Sequence, residues 1–185
     1  MPIHPAIRRV HAVNESQLHE LTALLIDCVD GGASIGFMSP LSPDRALAFW
    51  RHIAAELAAG ARAMLIAEDS IGICGSVQLI LNLPDNQPHR ADLCKMLVHS
   101  RARRQGLGEA LMRAAEDTAR DCNRTLLVLD AVTNGDAARL YTRLGWVRVG
   151  DIPNYALMPD GAPCSTTYFY RALQPLRARS ASEGL

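Results

Sequence analysis

The sequence predicts a mixed α/β domain, in which one sheet of about seven strands carries helices on both faces. Apolar residues alternate with period two in some segments and recur with helical spacing in others. The chain has 185 residues, which suits one domain with a single core. The order of elements that follows from these patterns is β-α-α-β-β-β-α-β-α-β-β.

Capping signals place the helices in the first half of the chain. Asn14 can cap a helix, and Gln17 three residues later completes a capping box. Ser42 supplies a capping hydroxyl directly before Pro43, which is typical of a helix start. The predicted elements are a strand at 6–13, helices at 15–29 and 43–59, and strands at 62–69, 73–82 and 90–99.

In the second half, the run TLLVLDA at 125–131 is typical of a central strand buried on both faces. Pro159-Asp160-Gly161 indicates a loop. The other predicted elements are helices at 107–121 and 136–144, a strand at 146–150, a loop at 154–162 and a strand at 166–173. We expect one domain over 1–173 and a frayed, polar tail at 174–185.

Composition excludes several functional classes. Hydrophobic residues make up 49%, charged residues 21%, and the formal net charge is +0, so we expect a soluble globular protein without nucleic-acid or membrane partners. The N-terminal segment MPIHPAIRRV lacks the apolar core of a signal peptide, and the five scattered cysteines indicate reduced thiols. We therefore expect a cytoplasmic protein. No metal site is expected, because cysteines and histidines show no ligand spacing.

One stretch, Leu97–Gly108, has the features of an anion site. An apolar strand leads into a basic loop that contains Arg103-Arg104-Gln105-Gly106-Leu107-Gly108, and a helical pattern follows at once. The first N–H groups of a helix have no intrahelical acceptor, and the helix dipole is positive there. A tight turn with surface arginines is the alternative. The stretch lacks the lysine of a Walker A loop and the spacing of a dinucleotide fingerprint.

A second motif lies about thirty residues downstream. Asn134–Trp146 reads N-x-x-A-x-x-x-Y-x-x-x-G-aromatic. Together the two motifs resemble the acetyl-CoA signature of the GNAT superfamily of N-acetyltransferases, over about residues 6–173. Two departures are Trp146, where Phe is usual, and Arg104, where a small residue is frequent.

The resemblance implies a GNAT-like α+β fold with a mostly antiparallel mixed sheet that splays between its fourth and fifth strands, and acetyl-CoA as co-substrate. A bulge in the fourth strand would allow this splay. The pantetheine would lie along that strand and the pyrophosphate on the following loop. The expected cofactor-binding residues are Met96, Leu97, Val98, Arg103, Arg104, Gln105, Gly106, Leu107, Gly108, Asn134, Ala137 and Tyr141.

Acetyl transfer requires a neutral amine, so a base must help to deprotonate the acceptor. Asp92 and Asp130 are the candidates. The alternatives are that Asp92 is a solvent-facing strand residue and that Asp130 is a loop or helix-capping acid. Glu68 is a third candidate. The resemblance implies that Tyr141 protonates the departing thiolate; packing under the cofactor is the alternative.

We expect the acceptor pocket to include Phe37 and Tyr155 beside the two aspartates. The segments at 31–38 and 148–161 also resemble the tabtoxin-resistance group within the superfamily, which implies a small primary amine such as an amino acid, a dipeptide or a toxin. A protein acetyltransferase and a non-catalytic CoA-binding module are the alternatives. Homodimers are common in the superfamily.

Overall fold

The structure is a computed structural model that describes residues 5–173; the predicted tail at 174–185 lies outside the described residues. Within that range no helix is both long and apolar enough to cross a membrane. The predicted order of elements is confirmed. These elements are β1 (Ala6–Val10), α1 (Glu15–Asp30), α2 (Pro43–Ala58), β2 (Arg62–Asp69), β3 (Gly72–Ile80), β4 (Arg90–Val98), α3 (Leu107–Asp121), β5 (Leu126–Val132), α4 (Asp136–Arg143), β6 (Val147–Leu157) and β7 (Pro163–Ala172).

The strands form one sheet in the order β1-β2-β3-β4-β5-β7-β6. All neighbours pair antiparallel except β4 and β5, which pair parallel. A parallel pair needs a crossover connection, and α3 supplies it. The predicted mixed, mostly antiparallel sheet is therefore confirmed.

The first two helices begin at the predicted caps. The Asn14 side chain accepts from the Gln17 N–H at 2.9 Å, and the Gln17 side chain accepts from the Asn14 N–H at 3.1 Å. The Ser42 hydroxyl accepts from the Arg45 N–H at 3.3 Å. Each bond satisfies an N–H group that the helix itself leaves without an acceptor.

Helices cover both faces of the sheet, as predicted. On one face α1 and α2 build a core around Trp50 and Leu24, which are almost fully buried. On the other face α3 and α4 build a second core around Leu111 and Met112. The sheet thus separates two apolar cores, which bury β2 and β3 from both sides.

The sheet opens between β4 and β5, as the family resemblance implies. These strands pair over only three residues, and the last pair joins Asp92 to Val128. Beyond this pair, β4 has a bulge against β3, where Lys95 and Met96 lie opposite the single residue Val77. Lys95 has a left-handed backbone with φ +50°. Because a bulge bends its strand, β4 turns away from β5 and leaves a gap.

Two sequence-based expectations are wrong. The strand that begins near Trp146 does not end at residue 150 but continues to Leu157, because pairing with β7 extends through Leu157↔Pro163. The predicted loop at 154–162 is correspondingly shorter. β5 is also not buried on both faces, since its burial alternates and Asp130 is exposed. Among the described elements, α1 and α2 pack mainly on β2, β3 and β4, so they leave the face of β5 that carries Asp130 open.

Gly75 shows how tightly α3 packs on the sheet. A Cβ at this position would lie 2.9 Å from the Leu111 Cδ1 atom and 3.2 Å from the Leu97 carbonyl oxygen. We predict that Gly75→Ala lowers the free energy of unfolding by about 1–3 kcal/mol, because α3 must move to admit the methyl group. Urea denaturation followed by circular dichroism measures this change.

The matched control is Gly150→Ala in β6, where a Cβ would meet no atom of the described residues within 4 Å. This variant should remain within about 0.5 kcal/mol of the wild type. Equal stability of the two variants would contradict the close packing of α3 on β3.

Candidate active site

The gap between β4 and β5 is a cleft of about 800 Å³. Its walls are the second half of β4, the end of β5, the first turn of α3, one side of α4 and the loop that follows α1. The predicted cofactor-binding residues that line it are Met96, Leu97, Val98, Arg103, Arg104, Gly106, Leu107, Gly108, Ala137 and Tyr141. Gln105 and Asn134 are exposed and do not belong to this lining, so their predicted contacts lack geometric support.

The loop before α3 offers a run of free N–H donors. The first backbone bond of the helix runs from the Ala110 N–H to the Gly106 carbonyl at 3.1 Å. Among residues 5–173, the N–H groups of 104–109 have no acceptor. Arg104 and Gly106 both have left-handed backbones, with φ +62° and +81°. Free N–H groups at the positive end of a helix dipole are suited to binding an anion such as a diphosphate.

The arginines of this loop differ in what they contact. The Arg101 guanidinium pairs with Asp69 and also donates to the Gly72 carbonyl at 3.3 Å, so it holds the loop to the β2–β3 turn. Arg103 donates from Nε to the Val98 carbonyl at 3.0 Å and still lines the cleft. The Arg104 side chain is 88% exposed. Arg103 and Arg104 are therefore the cations that the loop offers to the cleft.

Asp27 of α1 was not predicted and holds the start of the loop in place. Its carboxylate accepts from the Ser100 N–H at 2.8 Å and from the Ser100 hydroxyl at 2.6 Å. Burial disfavours the charged carboxylate, but these bonds and the nearby His99 and Arg103 outweigh it, so the pKa of Asp27 is lowered. The charged carboxylate thus fixes the short 3-10 helix (Ser100–Ala102) against α1.

Tyr141 of α4 lines the cleft and is also packed in the core beneath it. Its ring contacts Trp146 and Phe169, with centroids 6.0 and 5.9 Å away. No hydrogen bond between described residues uses its hydroxyl. Burial, with the nearby negative charge of Asp130, raises the pKa of this phenol well above its ordinary value. The hydroxyl is therefore protonated at neutral pH and can donate a proton or a hydrogen bond.

The two predicted carboxylates share a face of the sheet but differ in their partners. Asp92 pairs with Arg90 and does not line the cleft. Asp130 lies two residues beyond Val128, the β5 residue opposite Asp92, and its side chain reaches the cleft. It makes no ion pair with any described residue. Although the side chain remains accessible to solvent, partial desolvation by the surrounding protein raises its pKa. Asp130 is thus the free carboxylate of the pair.

Glu68, the third candidate, pairs with Arg8 of the edge strand β1 at 2.7 Å and lies away from the cleft. A role for Glu68 in proton transfer has no geometric support.

The aromatic residues predicted for the acceptor pocket lie just outside the cleft lining. Phe37 packs edge-on against Phe49 at 5.3 Å. The Tyr155 hydroxyl is 2.8 Å from that of Tyr168, which lies directly opposite Asp130 on β7. This hydrogen bond, with partial burial and the charges of the two aspartates, raises the pKa of Tyr168 to about 12. The alternation of TTYFY predicts that Tyr168 shares a face with Tyr170, but not that it faces Asp130.

Lys95 is a further cleft residue that sequence reasoning missed. Its ammonium donates to the Ile35 carbonyl at 2.6 Å, and it lies 5.8 Å and 5.7 Å from the ring centroids of Phe37 and Phe49. Burial lowers its pKa. A lysine in a strand normally indicates a solvent-facing position, and only the bulge brings this one into the cleft.

Comparison with known proteins agrees with this geometry. Residues 60–148 match the family model of the acetyltransferase (GNAT) domain. An uncharacterized N-acetyltransferase of Azospirillum brasilense, from the hisH-hisA intergenic region, is 28% identical over 126 residues. That match covers 67% of this chain and 73% of the relative. The family match includes β4, the loop before α3, and α4.

Solved structures share the fold over almost the whole chain. The yncA protein of Salmonella typhimurium, determined with acetyl-CoA as its cofactor, superimposes with a TM-score of 0.74 at 20% identity and covers 96% of this chain and 99% of that one. A ribosomal-protein-alanine N-acetyltransferase from Brucella melitensis superimposes with a TM-score of 0.75 at 19% identity, over 91% and 99%. The family match over residues 60–148 and the fold shared with these acetyltransferases together show that the chain has a GNAT-like acetyltransferase domain.

Proposed function

We propose that this enzyme transfers the acetyl group of acetyl-CoA to a primary amine of a small molecule. The observation that carries the proposal is the meeting of two groups in one cleft. Asp130 offers a free carboxylate, and Tyr141 offers a protonated hydroxyl. Direct transfer between an amine and a thioester needs one group that accepts a proton and one that donates a proton.

The residues around the cleft suit CoA. The free N–H groups of 104–109 are suited to hold its pyrophosphate, with Arg103 and Arg104 beside them. Within residues 5–173, the edge of β4 beyond Asp92 has no partner strand on its β5 side. Pantetheine amides can bond to such an open edge in the manner of an added strand. Acetyl-CoA would supply the activated acetyl thioester at this edge.

We assign the role of base to Asp130 rather than Asp92. A base needs a carboxylate that is free to accept a proton, and Arg90 already occupies the carboxylate of Asp92. The raised pKa of Asp130 makes it a stronger base than an ordinary aspartate. Asp130 would take the proton of the acceptor ammonium directly or through one water, which frees the nitrogen lone pair for attack.

We assign the role of general acid to Tyr141, which would protonate the departing thiolate. A backbone N–H of β4 near Leu97 would stabilise the negative charge that develops on the acetyl oxygen. A non-catalytic CoA-binding module is the less favoured alternative, because CoA binding alone does not require a free carboxylate and a free hydroxyl in the same cleft.

Two loops favour a small acceptor over a protein. The Ser34 hydroxyl donates to the Leu157 carbonyl at 2.8 Å, and the Ser39 N–H donates to the Pro159 carbonyl at 3.0 Å. These bonds join the loop after α1 to the β6–β7 connection and narrow the acceptor side of the cleft. The same loops carry the resemblance to the tabtoxin-resistance group, so a toxin-like amine is one candidate acceptor. The Brucella melitensis protein is named a ribosomal-protein-alanine N-acetyltransferase, so the fold alone does not identify the acceptor.

The first test is release of CoA from acetyl-CoA with a panel of small primary amines and, separately, unstructured peptides. We expect release with one or more small amines.

We also expect Tyr141→Phe to lower kcat about 100-fold or more, with little change in the KM for acetyl-CoA, because only proton donation is lost. Stopped assays with a thiol reagent measure both.

The control is Tyr170→Phe, which removes a hydroxyl from an exposed residue of β7 outside the cleft lining. This variant should keep the wild-type rate. An unchanged kcat in Tyr141→Phe would remove the general acid. Tight CoA binding without turnover of any amine or peptide would favour the binding module and contradict the proposal.

The pH dependence separates the two carboxylates. A base must be deprotonated, so kcat/KM should fall as pH drops through the pKa of Asp130, which lies above the ordinary value of about 3.9. We predict that Asp130→Asn lowers kcat/KM about 100-fold or more and removes this acidic limb, whereas Asp92→Asn keeps it. Rates measured across the acidic range test this assignment. Loss of the limb in Asp92→Asn alone would reverse it.

A further inference from the structure

The proposed mechanism leaves one charged group of the cleft without a role, the ammonium of Lys95. This residue belongs to the bulge of β4, where its left-handed backbone takes it out of the regular alternation of the strand. Its Nζ atom bonds to the Ile35 carbonyl at 2.6 Å, and both residues line the cleft. The ammonium thus lies between β4 and the loop that covers the acceptor side.

This ammonium lacks a full set of partners within residues 5–173. No carboxylate of those residues lies within 4.0 Å of it. The Ile35 carbonyl takes one of its three N–H donors, and no other described group takes the remaining two. The rings of Phe37 and Phe49 offer only the weaker attraction of aromatic faces. A largely buried cation without a counter-charge is unfavourable, so an incoming anion would be stabilised there.

The cleft therefore presents two opposite charges near each other. Asp130 is close enough to Lys95 for each charge to favour the ionised form of the other, yet the two side chains do not form an ion pair. Space between an unpaired carboxylate and an unpaired ammonium suits a molecule that carries both charges in the opposite order. An amine with a carboxylate a few bonds away is such a molecule.

We infer that Lys95 binds a carboxylate of the acceptor, and that the acceptor is therefore an amino acid or a short peptide-like amino acid derivative. The acceptor amine faces Asp130 and its carboxylate faces Lys95. This inference rests on the proposed function and adds to it the class of acceptor and the residue that selects it. The alternative is that Lys95 only holds the covering loop through Ile35 and Phe37.

Matched pairs of amines distinguish these roles. The pairs are 4-aminobutanoate with 4-aminobutanamide, 5-aminopentanoate with its amide, and glycyl-leucine with glycyl-leucinamide. The members of each pair differ only in the carboxylate. We expect the wild-type enzyme to prefer the carboxylate member of at least one pair by about tenfold or more in kcat/KM, through charge-assisted hydrogen bonds to Lys95.

Three variants locate the preference. Lys95→Met removes the charge and keeps the length of the side chain, so the preference should fall to within about twofold, whereas Lys95→Arg should restore most of it. Arg45→Met is the matched control, because Arg45 also lies 5.8 Å from the Phe37 ring but outside the cleft lining. It should keep the wild-type preference.

Inhibition by butanoate, which has a carboxylate and no amine, provides a second readout. Butanoate should compete with the amine in the wild type, and its inhibition constant should rise about tenfold in Lys95→Met. The inference fails if the carboxylate and amide members of every pair react equally, or if Lys95→Met lowers kcat/KM for both members without changing their ratio. Lys95 is then only structural, and the proposed function stands. If no amine of any kind releases CoA, the proposed function itself fails, and the inference fails with it.

Discussion

The bulge of β4 at Lys95 and Met96 is the constraint on which the rest of the site depends. It places two residues of β4 opposite one of β3, and β4 and β5 part after three pairs. An unbroken parallel pairing would fill the space that is now the cleft. The same bulge leaves backbone groups of β4 open along one edge and turns Lys95 toward the loop after α1. One local irregularity therefore creates the cavity, its hydrogen-bonding wall and its partly buried cation.

Because the gap passes through the sheet, it joins groups that the two faces would otherwise keep apart. Tyr141 comes from the core formed by α3 and α4, whereas Asp130 and Lys95 belong to the side of α1 and α2. The gap thus brings the proposed proton donor and the proposed proton acceptor together from opposite sides. The face that remains uncovered beside β5 is also the reason why Asp130 has an environment different from that of a buried strand residue.

Local patterns predict much of this molecule, and the limits of prediction have physical causes. Caps at Asn14 and Ser42 give the helix starts, since each bond is made within one turn. The length of β6 depends on its pairing with β7, which no local pattern contains. At the site, the loop before α3 and Tyr141 lie in recognisable motifs, and both line the cleft. The sequence could not assign the roles of three other groups, because these roles depend on long-range geometry or on the folded environment. The groups are Lys95, Asp27 and the Arg90–Asp92 pair.

The central claim is that the opening between β4 and β5 is the CoA site, with the loop before α3 as its phosphate-binding part. Hydrogen–deuterium exchange with and without CoA tests it most directly. The account predicts slower exchange of the amides at 104–109, and of the amides within 96–98 that face the gap, when CoA is bound, because these N–H groups gain acceptors. Exchange along the exposed strand β6 should remain unchanged. Saturating CoA, shown to be bound by calorimetry, that leaves both segments unprotected would contradict it.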